Sequence, residues 1–488
     1  MDKFNLESFS RVQDKIGTKN ASELRALLAE DNGKNSQSCA RERLEKLFDA
    51  GTFSEIGAYV RRRNSEFDTK DSYEFESVIC AWGAVDGRLV YAFSQDISRT
   101  SGSVSEAHAR KICELYRLAI QNGAPVVGFF ESAGALIPEG VRALAAYGKI
   151  MKTVSSASGI IPQIAVVCGS VAGGASVICG MFDLVVKCDG AELSVNPKFN
   201  TASGSDSDAG VTALAASDTS SAVTDVRELL KYLPSNNAEG TPSDISSDNI
   251  NRQVSFDTSD VSSVINAFVD DGRFIELYGT YANEIVGGLA SVDGVAVGVI
   301  ATDKANAAGK VSAKGARKAA RLVSLFDSFN IPVITLVDSK GFDNSDVSEM
   351  SPFTSEIAKL ASAYSAVSSP MITVITGEAY GSFFTVMGSK SLGADIVFAL
   401  DSAKIAAMNA KTAVAFFFND EISANNTREK LEKQWDDAVA NPVEAAASGE
   451  IDDIISSEEL RQRIGAALAM LSAKSTAVSS RRHLIMPL

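Results

Sequence analysis

The sequence predicts an α/β chain made of two tandem copies of one unit, each wound around a largely parallel sheet. Length is the first observation behind this, because 488 residues exceed the size at which one hydrophobic core usually stops growing, so two domains of about 200 residues are expected. An internal repeat is the second. Val85-Asp86-Gly87 recurs 207 residues later as Val292-Asp293-Gly294, and the segments that follow keep that spacing. The third is the order of hydrophobic patterns, which alternates strand with amphipathic helix in both halves.

The elements follow in order. Each Val-Asp-Gly leads into a β-rich run, Val90 to Asp96 and Val297 to Asp303, and Lys111 and Lys318 open amphipathic helices. A buried strand comes next in each half: Pro125 to Gly134 answers to Pro332 to Gly341, again 207 residues apart. The third strand, Ile164 to Gly169, parallels Ile372 to Gly377 at an offset of 208. Each third strand ends in a glycine-bearing turn, Ala172-Gly173-Gly174-Ala175 and Tyr380-Gly381-Ser382-Phe383. This βαβ order implies ligands at the carboxyl ends of the strands.

Three domains are expected: a helical arm over 1–35, a first unit over 36–240 with a polar insertion at about 200–245, and a second unit over 246–488. From Asn200 to Val261 the chain is dense in Ser, Asp, Thr and Gly, with one helical patch, Val223 to Leu233, closed by Pro234. It reads as a mobile insertion and linker, or as a lid.

Composition excludes several classes. With 46 basic and 61 acidic residues the net charge is −15, which argues against a phosphate-backbone binder. A polyanionic small molecule needs only a local basic patch. Gly159 to Phe182 is uncharged and about the ~20 residues a bilayer requires, yet Pro162, Gln163 and its glycines read better as strand, turn and buried helix. The start, Met1 to Asn5, has no signal-peptide core, so a cytoplasmic location is expected. Six cysteines lie scattered and read as reduced core thiols. No metal site is suggested. Only His108 and His483 are present, so a Ser-His-Asp or metal-histidine mechanism lacks its residues. Walker A and dinucleotide fingerprints are missing. What remains is glycine-rich backbone at two strand ends, which aims N–H groups at a developing negative charge.

Several motifs carry a family resemblance. Ala40-Arg41-Glu42-Arg43-Leu44 with Asp49-Ala50-Gly51-Thr52-Phe53 resembles "ARERL…DPGTF", and Gly87 to Asp96 with Gly102-Ser103 and Ala107-His108-Ala109 is similar to "GRLVYVFSQD…GGS…AHA". Gly159 to Ile164 with Ala172 to Ala175 looks like "GVIPQI…CAGGA", Phe326 to Pro332 like "CDAFNIPL", and Ile485-Met486-Pro487-Leu488 like the same family's end. These motifs belong to the carboxyltransferase subunits of propionyl-CoA carboxylases, related acyl-CoA carboxylases and methylmalonyl-CoA decarboxylases.

The resemblance implies two tandem crotonase-like domains and transfer of CO2 between carboxybiotin and the α-carbon of a short-chain acyl-CoA. In that family one backbone oxyanion hole holds the thioester enolate and a second holds the biotin ureido anion, which takes the α-proton. Carried over, Gly173 and Gly174 form the thioester hole, while Gly381, Ser382 and Phe383 stand at the biotin-side hole. Ala133, Gly134 and Ala135 fall at the acyl-CoA pocket, with Gln95 and Ser103 in loops near the CoA nucleotide, and Lys340, Gly341 and Phe342 fall at the biotin site. His108 either helps position CoA or a subunit contact, or is a structural histidine. The resemblance also implies biotin on a partner carrier protein, coenzyme A in the substrate, biotin carboxylase and carrier subunits or a membrane decarboxylase complex as partners, and a homo- or hetero-hexamer. Neither nucleic acid nor direct membrane insertion is implied.

The chain departs from the family pattern at Glu131 to Gly140, where an arginine is lost and Ala133 adds a methyl group, at Asp338 to Ser345, and at Ser382-Phe383. Phe383 puts bulk where a biotin ring is expected to approach. Asn196-Pro197-Lys198 stands where the family has a "TGP" turn. Two alternatives follow: a structural or regulatory paralogue that assembles with an active carboxyltransferase, and a biotin-independent crotonase-type acyl-CoA enzyme.

Overall fold

The computed structural model describes residues 20–34, 39–61, 75–195, 210–343, 345 and 352–474. His483, Asn196-Pro197-Lys198 and the Ile485 to Leu488 motif lie outside these residues. The chain divides into two compact units, one of residues 1–203 and 215–227 and one of residues 204–214 and 228–488.

The first unit holds an eight-stranded sheet. Strands β1 (Ser54–Ile56), β2 (Val78–Val85) and β3 (Arg88–Gln95) are antiparallel, and β4 (Val126–Ser132), β5 (Gln163–Ala172) and β6 (Leu184–Cys188) extend from β3 in parallel. Two short strands finish it, β7 (Glu192–Ser194) on β5 and β8 (Leu214–Ala216) at the edge. Continuous apolar runs such as Ala165-Val166-Val167 are fully buried, as a sheet covered on both faces requires. Gly159 to Phe182 becomes a helix exit, β5 and the short helix Gly174–Gly180. Among the described residues no helix is long and apolar enough to cross a membrane.

The second unit repeats the plan in the same strand order, with β9 (Phe274–Glu276), β10 (Ile285–Val292), β11 (Val295–Thr302), β12 (Val333–Ser339), β13 (Met371–Tyr380), β14 (Ile396–Leu400), β15 (Lys404–Ala406) and β16 (Asp453–Ile455). Register repeats as well: Tyr91 faces Val126 across β3 and β4, and Gly298 faces Val333 across β11 and β12. Each crossover helix sits on its sheet at close range. A Cβ on Gly298 would stand 2.1 Å from the Phe326 ring of helix Ala313–Ser328, so only glycine lets that helix approach.

Both helices begin ahead of the lysines taken as their openings. Ser105 caps helix Glu106–Asn122 by accepting from the His108 amide, and Ser312 caps Ala313–Ser328 by accepting from Gly315, which satisfies otherwise orphaned N–H groups. Lys111 and Lys318 lie inside, buried, and donate to the carbonyls of Val78 and of Tyr278 and Tyr281.

The repeat reaches further than its sequence signal. Asp49 accepts from the amides of Asp86 and Gly87 and pairs with Arg227 at 3.0 Å. Asp270 accepts from Asp293 and Gly294 and pairs with Arg461 at 2.7 Å. Each Val-Asp-Gly hairpin, with Asp86 at φ 49° and Asp293 at φ 52°, is thus pinned by a carboxylate whose charge an arginine balances.

The helical patch of the polar stretch is real but starts at Thr219, after Asp218, whose carboxylate accepts from the Ser221 amide. Beyond it the chain is anchored rather than free. Asn330 donates to the carbonyls of Asn237 and Glu239, and Thr241 donates back to the Asn330 carbonyl. The cysteines are all free thiols, but Cys39 is exposed and so is not a core residue; it is the first residue of a helix whose apolar side is carried by Ala40, Leu44 and Leu47.

Candidate active site

The two units place equivalent backbone at the ends of β4 and β12. The amide of Ala133 donates to Ser101 and that of Lys340 to Gly309. Gly134 and Gly341 donate to the hydroxyls of Ser132 and Ser339, each at 3.2 Å. Leu136 and Asp343 donate to Val104 and Val311, whose own amides bond Gly134 and Gly341. The amides between them, Ala135 and Phe342, have no partner among the described residues. The same amide is thus without a protein partner among the described residues in both units, and is available to an acceptor. The serines are held in turn: Ser132 and Ser339 donate to the carbonyls of Gly102 and Gly309 at 2.8 and 2.9 Å.

Beside each loop stands a glycine turn. Gly173 has φ 65° and ψ −132° and opens helix Gly174–Gly180. Its carbonyl faces into that helix, accepting from Ser176 and Val177. Its amide donates to Ser194 at 3.0 Å, which corrects the expectation that Gly173 itself donates to a ligand. The amides of Gly174 and Ala175 are the first of the helix and have no carbonyl one turn back. Tyr147 packs its ring against Gly174, where a Cβ would sit 2.8 Å from the ring, and burial pushes its hydroxyl up to about 12. Gly381, at φ 56°, opens helix Gly381–Val386 in the same way, and Ser382 is exposed at its start.

The Phe383 side chain does not stand in the second site. It is 1% exposed, with its ring edge-on to Phe342 at 5.0 Å while Phe342 meets Phe353 at 6.1 Å. The third residue of that helix points into the core, so the bulk expected to meet a ligand fills the interior instead. At Gly341, φ 120°, no atom of the described residues beyond its chain neighbours lies within 4 Å of the place a Cβ would occupy. A cavity of about 930 Å³ opens in the second unit, lined among others by Lys310, Lys340, Glu378, Tyr380, Lys404 and Asp436.

Gln95 turns its side-chain amide inward rather than toward a ligand, and Ser103 is braced through its backbone. Gln95 is 2% exposed; its carbonyl accepts from the Glu131 amide at 3.0 Å and its nitrogen faces His108 Nε2 at 3.4 Å. Ser103 is buried, its carbonyl accepting from Ser77 and its amide donating to Thr100. Both brace the loop from behind. The acids at the strand ends serve likewise: Glu131 pairs with Arg43, and Asp338 with Lys304 at 2.8 Å.

His108 is the structural histidine of the two readings. It is fully buried between Gln95 and Ser77, with Nδ1 3.2 Å from the Ser77 hydroxyl, and burial pushes it down to about 4 from 6.5. Between those values the unfolded chain binds the proton and the folded chain does not, so stability falls as pH drops from 6.5 to about 4. Urea titrations across that range are expected to show a loss of up to about 3 kcal/mol that a His108→Gln variant lacks.

The chain is similar to known proteins over nearly its whole length. The chain matches the carboxyl transferase domain family over residues 31–196 and 199–486. It is 36% identical to the methylmalonyl-CoA decarboxylase subunit alpha of Propionigenium modestum, covering 92% of this chain and 93% of that one. It is 36% identical to the propionyl-CoA carboxylase beta chain of Cereibacter sphaeroides, covering 93% and 94%. Among solved structures, hexameric transcarboxylase 12S with methylmalonyl-CoA bound superposes with a TM-score of 0.86 at 30% identity, over the whole of both chains. The doubled crotonase-like sheet, the paired strand-end loops and these matches over nearly the full length lead to one conclusion: the chain belongs to the carboxyl transferase family.

Proposed function

We propose that the protein transfers a carboxyl group between carboxybiotin, borne by a partner carrier protein, and the α-carbon of a short-chain acyl-CoA. The observation that supports this most is the duplicated orphan amide, Ala135 in one unit and Phe342 in the other, each beside a glycine turn that opens a helix. Two such cradles suit a reaction in which negative charge appears on two oxygens.

Ala135, Gly174 and Ala175 hold the thioester oxygen as its α-carbon loses a proton, and Tyr147 keeps that turn from collapsing. Phe342 and the start of helix Gly381–Val386 hold the second oxygen, within reach of the cavity lined by Lys340 and Tyr380. Carboxybiotin, when bound, supplies the carboxyl group and the nitrogen that takes the α-proton. The second unit fits such a ligand, since Phe383 is turned inward and the space at Gly341 is open. No side-chain base is required, and His108→Gln is expected to keep its turnover per folded molecule. The solved transcarboxylase 12S assembles as a hexamer, and a hexamer is proposed here.

Purified protein given malonyl-CoA or methylmalonyl-CoA with free biotin tests the reading. Biotin-stimulated CO2 release supports it. Decarboxylation indifferent to biotin would point to a biotin-independent acyl-CoA enzyme, and none with either substrate to a partner without turnover.

A further inference from the structure

Strands β5 and β6 run parallel with Val167 opposite Lys187, and one residue further along each carries a cysteine, Cys168 and Cys188. Directly opposed residues on neighbouring parallel strands point to the same face with Cα atoms about 4.8 Å apart. That lies inside the roughly 4.4–6.8 Å over which a disulfide closes. The two thiols influence one another electrostatically, and the Arg43 guanidinium acts on both. Arg43 is 6% exposed; it pairs with Glu131, and its Nε has no hydrogen-bond partner among the described residues. A cation next to a thiol favours the thiolate, the form that reacts. The contact with Cys168 and, less strongly, the Thr219 hydroxyl and Arg43 hold the Cys188 thiol below its ordinary range.

We propose that Cys168 and Cys188 are an oxidant-responsive pair that closes to a reversible disulfide in the first unit. The other thiols lack this arrangement: Cys39 is exposed, Cys113 lies in helix Glu106–Asn122 and accepts from the Thr153 hydroxyl, and burial pushes Cys80 up to about 12 and Cys179 well up. With a peroxide as oxidant, the Cys188 thiolate attacks one peroxide oxygen, the O–O bond breaks, and the hydroxide released takes a proton to leave as water. Cys188 is then a sulfenic acid. The Cys168 sulfur attacks Cys188 Sγ and loses its proton, the S–O bond breaks, and a second water leaves. Two thiols and one peroxide become a disulfide and two waters, and a dithiol reductant supplies two electrons to reverse it. Cys168 lies within the stretch of β5, Val167 to Val171, where the register with β4 shifts, and that stretch leads to Gly173. The bond therefore pulls on the segment that sets the glycine turn, and turnover falls reversibly when it forms.

The folded protein is treated with hydrogen peroxide, alkylated in denaturant and mapped by peptide mass under non-reducing conditions. The expected result is a linked peptide pair containing Cys168 and Cys188, lighter by two hydrogens than the reduced pair and released by dithiothreitol. Single Cys168→Ser and Cys188→Ser variants each lose it. Recovery of both cysteines as free thiols in a sample whose exposed Cys39 has been oxidised would overturn the proposal. Because the mapping reads thiols rather than turnover, its outcome is separate from that of the catalytic reading.

Discussion

A Gly173→Ala protein is expected to release CO2 from its acyl-CoA substrate about 10²-fold more slowly than the parent in the biotin-dependent assay, while folding to the same secondary structure. Gly173 adopts φ 65° and ψ −132° with no atom of the described residues beyond its chain neighbours within 4 Å of a new Cβ, so the added methyl group meets none of them. The effect is conformational: an L side chain is strained there by about 1–3 kcal/mol, and the backbone relieves it by turning the peptide that starts helix Gly174–Gly180. That rotation moves the Gly174 and Ala175 amides off their target, and removing one oxyanion donor typically costs about 10²–10³ in rate. Gly180 is the control, since it ends the same helix and also has open space around it. Gly180→Ala is expected to leave the rate unchanged. Equal effects from both substitutions would show that the helix as a whole, not its first amides, governs turnover.

The largest stability effect is expected at Arg461. It is completely buried and donates to Asp270 and to the carbonyl of Phe268, and Asp270 in turn holds the hairpin at Asp293 and Gly294. Arg461→Ala strands a buried carboxylate, for which about 3–5 kcal/mol is typical. Urea unfolding followed by circular dichroism is expected to show an early transition for the second unit. The counterpart in the first unit predicts a contrast. The Arg227 side chain is 27% exposed and its partners Asp49 and Asp86 are 30% and 46% exposed, so Arg227→Ala should cost about 1 kcal/mol or less. Equal losses at the two arginines would contradict this reading of the duplicated hairpin clamp.

How much was legible in the sequence follows from what kind of interaction each feature uses. Strand order, the 207-residue repeat and the two glycine turns are local signals, and the sheets match them. The clamps at Asp49 and Asp270 are 221 residues apart, because the first unit carries extra chain around 62–74, and an offset fixed at 207 passes over them. Their arginines come from distant sequence and are visible only in the fold. Ser105 and Ser312 do carry a local signal, since a serine ahead of an amphipathic run is a capping signal. The inward turn of the Gln95 side chain has no local signal, because sequence does not say which side of a loop a residue faces. Phe383 shows the same limit in reverse, its bulk lying in the core because the third position of a short helix turns inward. That the Gly173 amide is taken up by Ser194 depends on the pairing of β5 with β7, at Ala172 and Ser194, which no motif records.

The most direct test is a structure of the protein with methylmalonyl-CoA bound, read as the distance from the thioester oxygen to each backbone nitrogen around it. Values of about 2.7–3.2 Å to Ala135 and to Gly174 or Ala175 are expected. A thioester oxygen that meets a side-chain donor or a carbonyl there, with those amides still unpaired, would contradict the account.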